Sequence, residues 1–185
     1  MMLGAVAIFV YVGAEVSIGS GMANYLMLPT TLHLPLQEAG RMVAWYWGLA
    51  MTGRFIGSYV LRVVNPGYVL MMAAGGAIAL ALVSSVSTGA VAGYTLIAVG
   101  LCNSIMFPTI FALATEGLVG EDAPKASGII CVAIFGGAVV PLFYGFAADL
   151  VGLALALLVP VVCYAWIAFY GYSARRPAVT PITAS

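Results

Sequence analysis

Charge is what this chain has least of. Its 185 residues include 6 basic and 6 acidic side chains and one His, so charged residues make up 6%, against about 25% in an average soluble protein. A soluble domain of this size must cover its surface with polar groups, and a composition that is 64% hydrophobic leaves too few to do so. That scarcity excludes a soluble globular domain and a disordered chain. The lack of a basic face excludes a nucleic-acid binder. Metal-ligating side chains are equally sparse: His33 stands alone, and Cys102, Cys131 and Cys163 lie inside apolar runs with no CxxC or CxH spacing. No metal site and no cofactor is therefore expected, and the thiols read as small packing residues. What remains is an all-α integral membrane protein with the lipid bilayer as its surroundings.

Long apolar sequence is what the chain has in abundance. A transmembrane helix needs about 20 mostly apolar residues to cross about 30 Å of hydrocarbon. Six such runs are present, at 2–28, 42–64, 67–86, 90–115, 127–148 and 150–172. They are continuous rather than alternating and too long for barrel strands. The first reads as a span and not a signal peptide, because it has no positive n-region and carries Glu15 in its middle. Pro29 and Pro35 mark the first loop; Asn65-Pro66-Gly67 and Ser87-Thr88-Gly89 mark tight turns. Glu38, Arg41 and Asp149 read as solvated interface charges, and Glu116, Glu121, Asp122 and Lys125 as a polar loop. Residues 173–185 read as a disordered tail. Arg62, Lys125, Arg175 and Arg176 fall on the side of the termini and Arg41 on the other, which places both termini in the cytoplasm.

The six spans differ in polarity. The third and sixth carry no charge and can face acyl chains at no polar cost. The first holds Tyr11, Glu15, Ser17, Ser20 and Asn24, and the fourth holds Thr95, Asn103, Ser104, Pro108, Thr109 and Thr115. Such groups need partners or water, so these two helices are expected to line an interior cavity. The second and fifth are rich in Gly and other small residues, among them Gly48, Gly53 and Gly57, then Gly137 and Gly145, and are expected to pack closely on other helices. The order polar, small-rich, apolar occurs twice, which predicts a 3+3 repeat.

Glu15 is the most informative residue. It sits about 20 Å along its helix, where an unpartnered charge is costly. One reading makes it an acceptor for substrate hydroxyls or a titrating carboxylate; the other makes it a buried partner of Arg54 or Tyr11, the latter one turn away on the same face. Arg54 reads as a gating or structural charge able to snorkel. Ser17, Ser20 and Asn24 lie about 160° round the helix from Glu15 and read either as bonds to a neighbouring helix or as further substrate contacts. Asn103 and Phe107 share a face of the fourth helix. An amide beside a ring suits a sugar, the amide reading hydroxyls and the ring covering an apolar face; packing on the first helix is the alternative. Pro108 is expected to kink that helix.

Four strings in order carry a resemblance. They are Tyr11–Ser20 (YVGAEVSIGS), Tyr46-Trp47-Gly48 with Met51–Gly57 (MTGRFIG), Asn103–Phe111 (NSIMFPTIF), and Ser127-Gly128 through Gly136-Gly137, Pro141, Gly145 and Asp149. Together they resemble the fucose and glucose/galactose permeases, sugar–proton symporters of the major facilitator superfamily, and specifically their C-terminal six helices. The resemblance implies one half of a major facilitator fold, with the first and fourth helices here as the seventh and tenth of twelve, both lining the sugar cavity. The substrate contacts expected on those two helices are Glu15, Tyr11, Asn103, Phe107 and Asn24. Glu15 and Phe107 look more like the glucose/galactose branch than the fucose branch. Gly57 and Arg62 fit the superfamily's cytoplasmic gating motif, whereas Leu61 stands in place of its Asp. The carboxylates best known for proton coupling belong to the family's N-terminal half.

The expectation is thus a non-enzymatic transporter component in a bacterial cytoplasmic membrane. It would supply the C-terminal wall of a cavity for a hexose or fucose, and would need an N-terminal six-helix half or a second copy for transport. The rival readings are a non-transporting remnant that assembles with other membrane proteins, and an intramembrane serine protease. The protease lacks a His base at membrane depth.

Overall fold

A computed structural model of the chain describes residues 2–116 and 122–174. Glu121, Arg175, Arg176 and the expected disorder of the tail from 175 onward lie outside the described residues. Within them the chain is helical throughout: α1 (Met2–Met27), α2 (Leu36–Val63), α3 (Pro66–Val86), α4 (Gly89–Asn103), α5 (Met106–Thr115), α6 (Asp122–Ala133), α7 (Gly136–Val151), α8 (Leu153–Ala156) and α9 (Leu158–Ala174). One or two residues separate α4 from α5, α6 from α7 and α8 from α9, so the described residues form six rods. Five rods are long and apolar enough to cross a membrane, and the chain is a multi-pass membrane protein. The other is α2, which carries Glu38, Arg41, Arg54 and Arg62.

The runs at 90–115, 127–148 and 150–172, continuous in hydropathy, are each divided in the structure. Proline explains two of the breaks. A Pro ring lacks an amide proton and clashes with the carbonyl four residues back. For Pro108 that residue is Ser104, and the helix stops at Asn103 and restarts at Met106; for Pro160 it is Ala156, where α8 ends. The third break, at residues 134 and 135, comes just before Gly136, which lies so close to the backbone carbonyl of Phe9 that a Cβ there would collide with it.

Helix α2 begins at Leu36, six residues before the apolar run does. Glu38 and Arg41 are therefore helical rather than in a loop, and Glu38 sits in the first turn, where a negative charge complements the helix N-terminus. Asp149 is likewise inside α7. Hydropathy marks where a helix enters hydrocarbon, not where its hydrogen bonding starts. At α3 the local chemistry does set the start: the Asn65 side chain accepts a bond from the Gly67 amide at 2.9 Å, and Pro66 takes the first helical position.

Helix α1 is the axis of the bundle and packs on α2, α5, α7 and α9. Its buried face runs Ile8, Tyr11, Ala14, Ile18, Met22 and Tyr25, a helical spacing. The second and fifth rods use their glycines as the sequence suggests. Gly53 and Gly57 of α2 meet Ser104 and Ile105, and Gly136 and Gly137 of α7 meet Phe9 and Val12 of α1. Other glycines on the same two rods, Gly48 and Gly145, face open space. Around them lie exposed apolar side chains: Trp45, Phe55 and Tyr59 on α2, Leu142, Phe143 and Phe146 on α7. The third and sixth rods pack against each other, with Gly171 of α9 against the backbone of Gly67 and Met71.

Candidate functional site

The break in the fourth rod falls beside the middle of α1, and polar groups from four rods gather there. Tyr11, 1% exposed, donates its hydroxyl proton to the main-chain carbonyl of Asn103 at 3.0 Å. Asn103 is fully buried, and its Nδ2 donates to the Tyr46 hydroxyl of α2 at 2.8 Å. One turn beyond Asn103, the Phe107 ring lies 6.3 Å from that of Tyr11, centroid to centroid, tilted by 55°. One turn beyond Tyr11, the half-buried Glu15 carboxylate lies close enough to the Tyr11 hydroxyl to interact with it and feels the charge of Arg54. Tyr164 of α9 closes the cluster from behind, fully buried and adjacent to the Asn103 side chain.

The cluster is not fully satisfied. Asn103 Oδ1 and Tyr164 Oη are buried without a hydrogen-bond partner, as is Trp166 Nε1 elsewhere on α9. Such a group costs about 1–3 kcal/mol, and native proteins keep few of them. The break explains why the surplus sits here: between Asn103 and Met106 the backbone leaves its regular hydrogen-bonding, and side chains take over part of that work.

Of the residues expected at the site, the structure brings together Tyr11, Asn103, Phe107 and Glu15. It does not bring Asn24 to them. Asn24 is exposed, and thirteen residues of helix put it about 20 Å from Tyr11 along the axis. Ser17 and Ser20 bond the carbonyls of Gly13 and Val16 in their own helix, both at 2.7 Å, rather than a neighbour. Arg54 is exposed and faces Glu15 electrostatically; Arg62, two turns further on, is exposed in the last turn of α2. Burial divides the four residues that the structure brings together. Tyr11 and Asn103 are buried by this chain's own rods, and the groups left partly open are Glu15 and Phe107. A groove of about 410 Å³ lies elsewhere, lined by Met42, Trp45, Leu49, Tyr94 and Ile97.

Sequence reasoning missed Tyr46 and Tyr164. Both stand in runs read as spans, where a tyrosine reads as a ring that fills space. The available signal was that a phenol buried in hydrocarbon needs a partner. Chemically the group set offers an acidic acceptor, phenols, an amide and a ring face. Among the described residues no three His, Cys, Asp or Glu side chains converge to hold a metal ion.

Over most of its length the chain is similar to known carriers. A glucose/galactose transporter of Brucella abortus (strain 2308) is 52% identical over 171 residues, which is 92% of this chain and 41% of that protein. The chain is homologous to sugar transporters. A putative glucose/galactose transporter of Helicobacter pylori (strain 26695) is 41% identical over 172 residues, covering 90% of this chain and 42% of the relative. The L-fucose-proton symporter of Escherichia coli K12 is 35% identical over 164 residues, covering 85% and 36%. The chain thus spans about two fifths of the length of the relatives it matches, as one half of such a transporter would. Among solved structures, the major facilitator superfamily transporter FucP, in its outward conformation, superposes with a TM-score of 0.89 at 28% identity, over 95% of this chain and 42% of that one. A peptide transporter shares the fold alone, with a TM-score of 0.84 at 15% identity over 94% of this chain and 38% of that one. No protein-family model matches the chain.

Proposed function

We propose that this chain is the C-terminal half of a monosaccharide transporter and supplies one wall of its central cavity. The observation that carries the reading is the 52% identity to a glucose/galactose transporter, sustained over 92% of the chain. The substrate is a hexose or fucose, and transport in the complete molecule is proton-coupled, as the name of the fucose-proton symporter states for that relative. Glu15 and Phe107 meet the sugar, the carboxylate accepting hydroxyl protons and the ring lying against an apolar sugar face. Tyr11 and Asn103 hold those two in place from behind. Asn24 stands outside the site, and Arg54 and Arg62 act as gating or structural charges.

All six rods span a bacterial cytoplasmic membrane with both termini in the cytoplasm. The charged α2 is included because its 28 residues reach about 42 Å, enough to carry Glu38, Arg41 and Arg62 beyond the hydrocarbon. A 3+3 repeat is supported by how the rods pair. Exchanging one with four, two with five and three with six turns the contact of rods one and five into that of four and two. The same exchange turns the contact of one and six into that of four and three, and returns three with six to itself. The partner is an N-terminal six-helix half or a second copy, covering the exposed faces of α2 and α7. The two bundles rock about the site and expose it to each side in turn.

The test is uptake of labelled glucose, galactose and L-fucose into vesicles. One sample holds the chain alone, and the other holds it co-assembled with the portion of the Brucella transporter that it does not match. Uptake by the pair and none by the chain alone is expected, and Glu15→Gln in the pair alters sugar affinity or its dependence on pH. A pair that moves no sugar, while the Brucella transporter divided at the same point does, removes the proposed function. Uptake unchanged by Glu15→Gln across pH removes Glu15 from the site.

A further inference from the structure

The first two turns of α2 carry two charges of opposite sign, Glu38 and Arg41. Both are exposed, and neither side chain has a hydrogen-bond or ion-pair partner among the described residues. The next turns of α2 and the first turns of α4 enclose the groove of about 410 Å³ lined by Met42, Trp45, Leu49, Tyr94 and Ile97. At 100° per residue, Glu38 lies within about 40° of Met42, Trp45 and Leu49, and Arg41 about 40° from Trp45. Side chains on a helix lean toward its N-terminus, so the charges stand over one end of the groove. From Glu38 to Leu49 is about 16 Å along the axis, close to the roughly 15 Å that is half of the hydrocarbon core. The feature is one leaflet long, with charges at the depth of headgroups and an apolar trough beneath them. Trp45 and Tyr94, 66% and 57% exposed, are the ring types that collect at the boundary between headgroups and hydrocarbon. Gly48, Phe55 and Tyr59, the part of α2 left for a partner half, lie about 90° further round the rod.

We propose that this groove is a site for one phosphatidylethanolamine molecule. The Arg41 guanidinium donates to the lipid phosphate, the lipid ammonium donates to the Glu38 carboxylate, and one acyl chain lies between α2 and α4. Charge complementarity selects the headgroup. An anionic headgroup meets Arg41 but is repelled by Glu38, whereas a zwitterion answers both. The quaternary ammonium of phosphatidylcholine has no N–H for the carboxylate, so it forgoes the charge-assisted bond that a primary ammonium makes. The orientation proposed above puts the site in the leaflet away from the termini, and nothing in it depends on the sugar.

The test titrates the full chain in detergent with phosphatidylethanolamine, phosphatidylglycerol or phosphatidylcholine of identical acyl chains. Native mass spectrometry reads the first lipid retained. Phosphatidylethanolamine is expected to be held about 3- to 10-fold more tightly than the other two, the worth of one or two interfacial charge contacts. Glu38→Gln should remove most of that preference without weakening phosphatidylglycerol. Arg41→Gln should weaken all three lipids about 3-fold, since each presents a phosphate. Ile97→Trp, which fills the groove, should also weaken all three. Equal retention of the three lipids means ordinary boundary lipid and overturns the proposal, as does a preference that Glu38→Gln leaves intact. The same titration is run on the chain co-assembled with the Brucella portion. A preference kept there supports the site, while one lost there means that the partner half fills the groove and overturns it. Lipid retention is read without sugar, so an assembly that keeps the preference and moves no sugar counts against the transport reading alone.

Discussion

Helix α1 buries two tyrosines fourteen residues apart, and the chain treats them differently. Tyr25 sits in a closed network: its hydroxyl donates to the Ser84 carbonyl at 2.7 Å, Ser84 Oγ lies 3.0 Å from that hydroxyl and 2.8 Å from the Ala92 carbonyl, and Thr31 bonds the Tyr25 carbonyl. The Gly89 amide adds a bond to the Thr30 carbonyl, so the ends of three rods and two loops are tied together with each of these groups answered. Tyr11 sits in an open network, where an amide oxygen and a phenol remain unpaired and a carboxylate stands half exposed. Equal burial with unequal satisfaction separates a staple from a site. A staple is stable because nothing is left to bond; a site keeps unused capacity, at a cost of about 1–3 kcal/mol per buried group.

Changes at the two networks should therefore be read out by different measurements. The largest effect is expected from Asn103→Ala, which removes the hub of the open network and should weaken sugar binding by the co-assembled transporter about 10- to 100-fold, the worth of one to two buried hydrogen bonds. Asn24→Ala, exposed and remote, should leave it within about twofold; the opposite order would place the site at the wrong end of α1. Next comes Ser84→Val in the closed network. It should cost about 1–2 kcal/mol, seen as a lower melting temperature in detergent, with sugar affinity unchanged. Lost affinity at unchanged stability would erase the distinction drawn here. The smallest effect is Tyr25→Phe, about 0.5–1.5 kcal/mol, again in melting temperature and not in affinity.

The two networks also differ in how legible they were. Glu15, Tyr11, Asn103 and Phe107 stood out in the sequence because polar groups in apolar helices demand a reason, and helical spacing put them in pairs one turn apart. Tyr46, Tyr164 and the whole Tyr25–Ser84 network did not stand out. A tyrosine or serine in an apolar run is chemically unremarked until a second rod shows what it bonds, and Tyr25 and Ser84 are 59 residues apart. Asn24 is not gathered with them for the converse reason: hydropathy gives depth along a rod, but not which side of it the neighbours cover. The helix breaks show the same division. Pro108 announced its kink, while nothing in the sequence marked that the break at 134 and 135 would leave Gly136 against Phe9, more than a hundred residues earlier in the chain.

The sequence by itself determined that this protein lies in a membrane and is built of long helices, because 6% charge and 64% hydrophobic residues admit no other solvent. It also determined which helices must be shielded from lipid, since a polar group in hydrocarbon has to be paid for locally. Only the tertiary structure decided which of those groups meet. Contact between rods depends on glycine-sized clearances and on where broken helices leave carbonyls free, and neither quantity is additive along the chain.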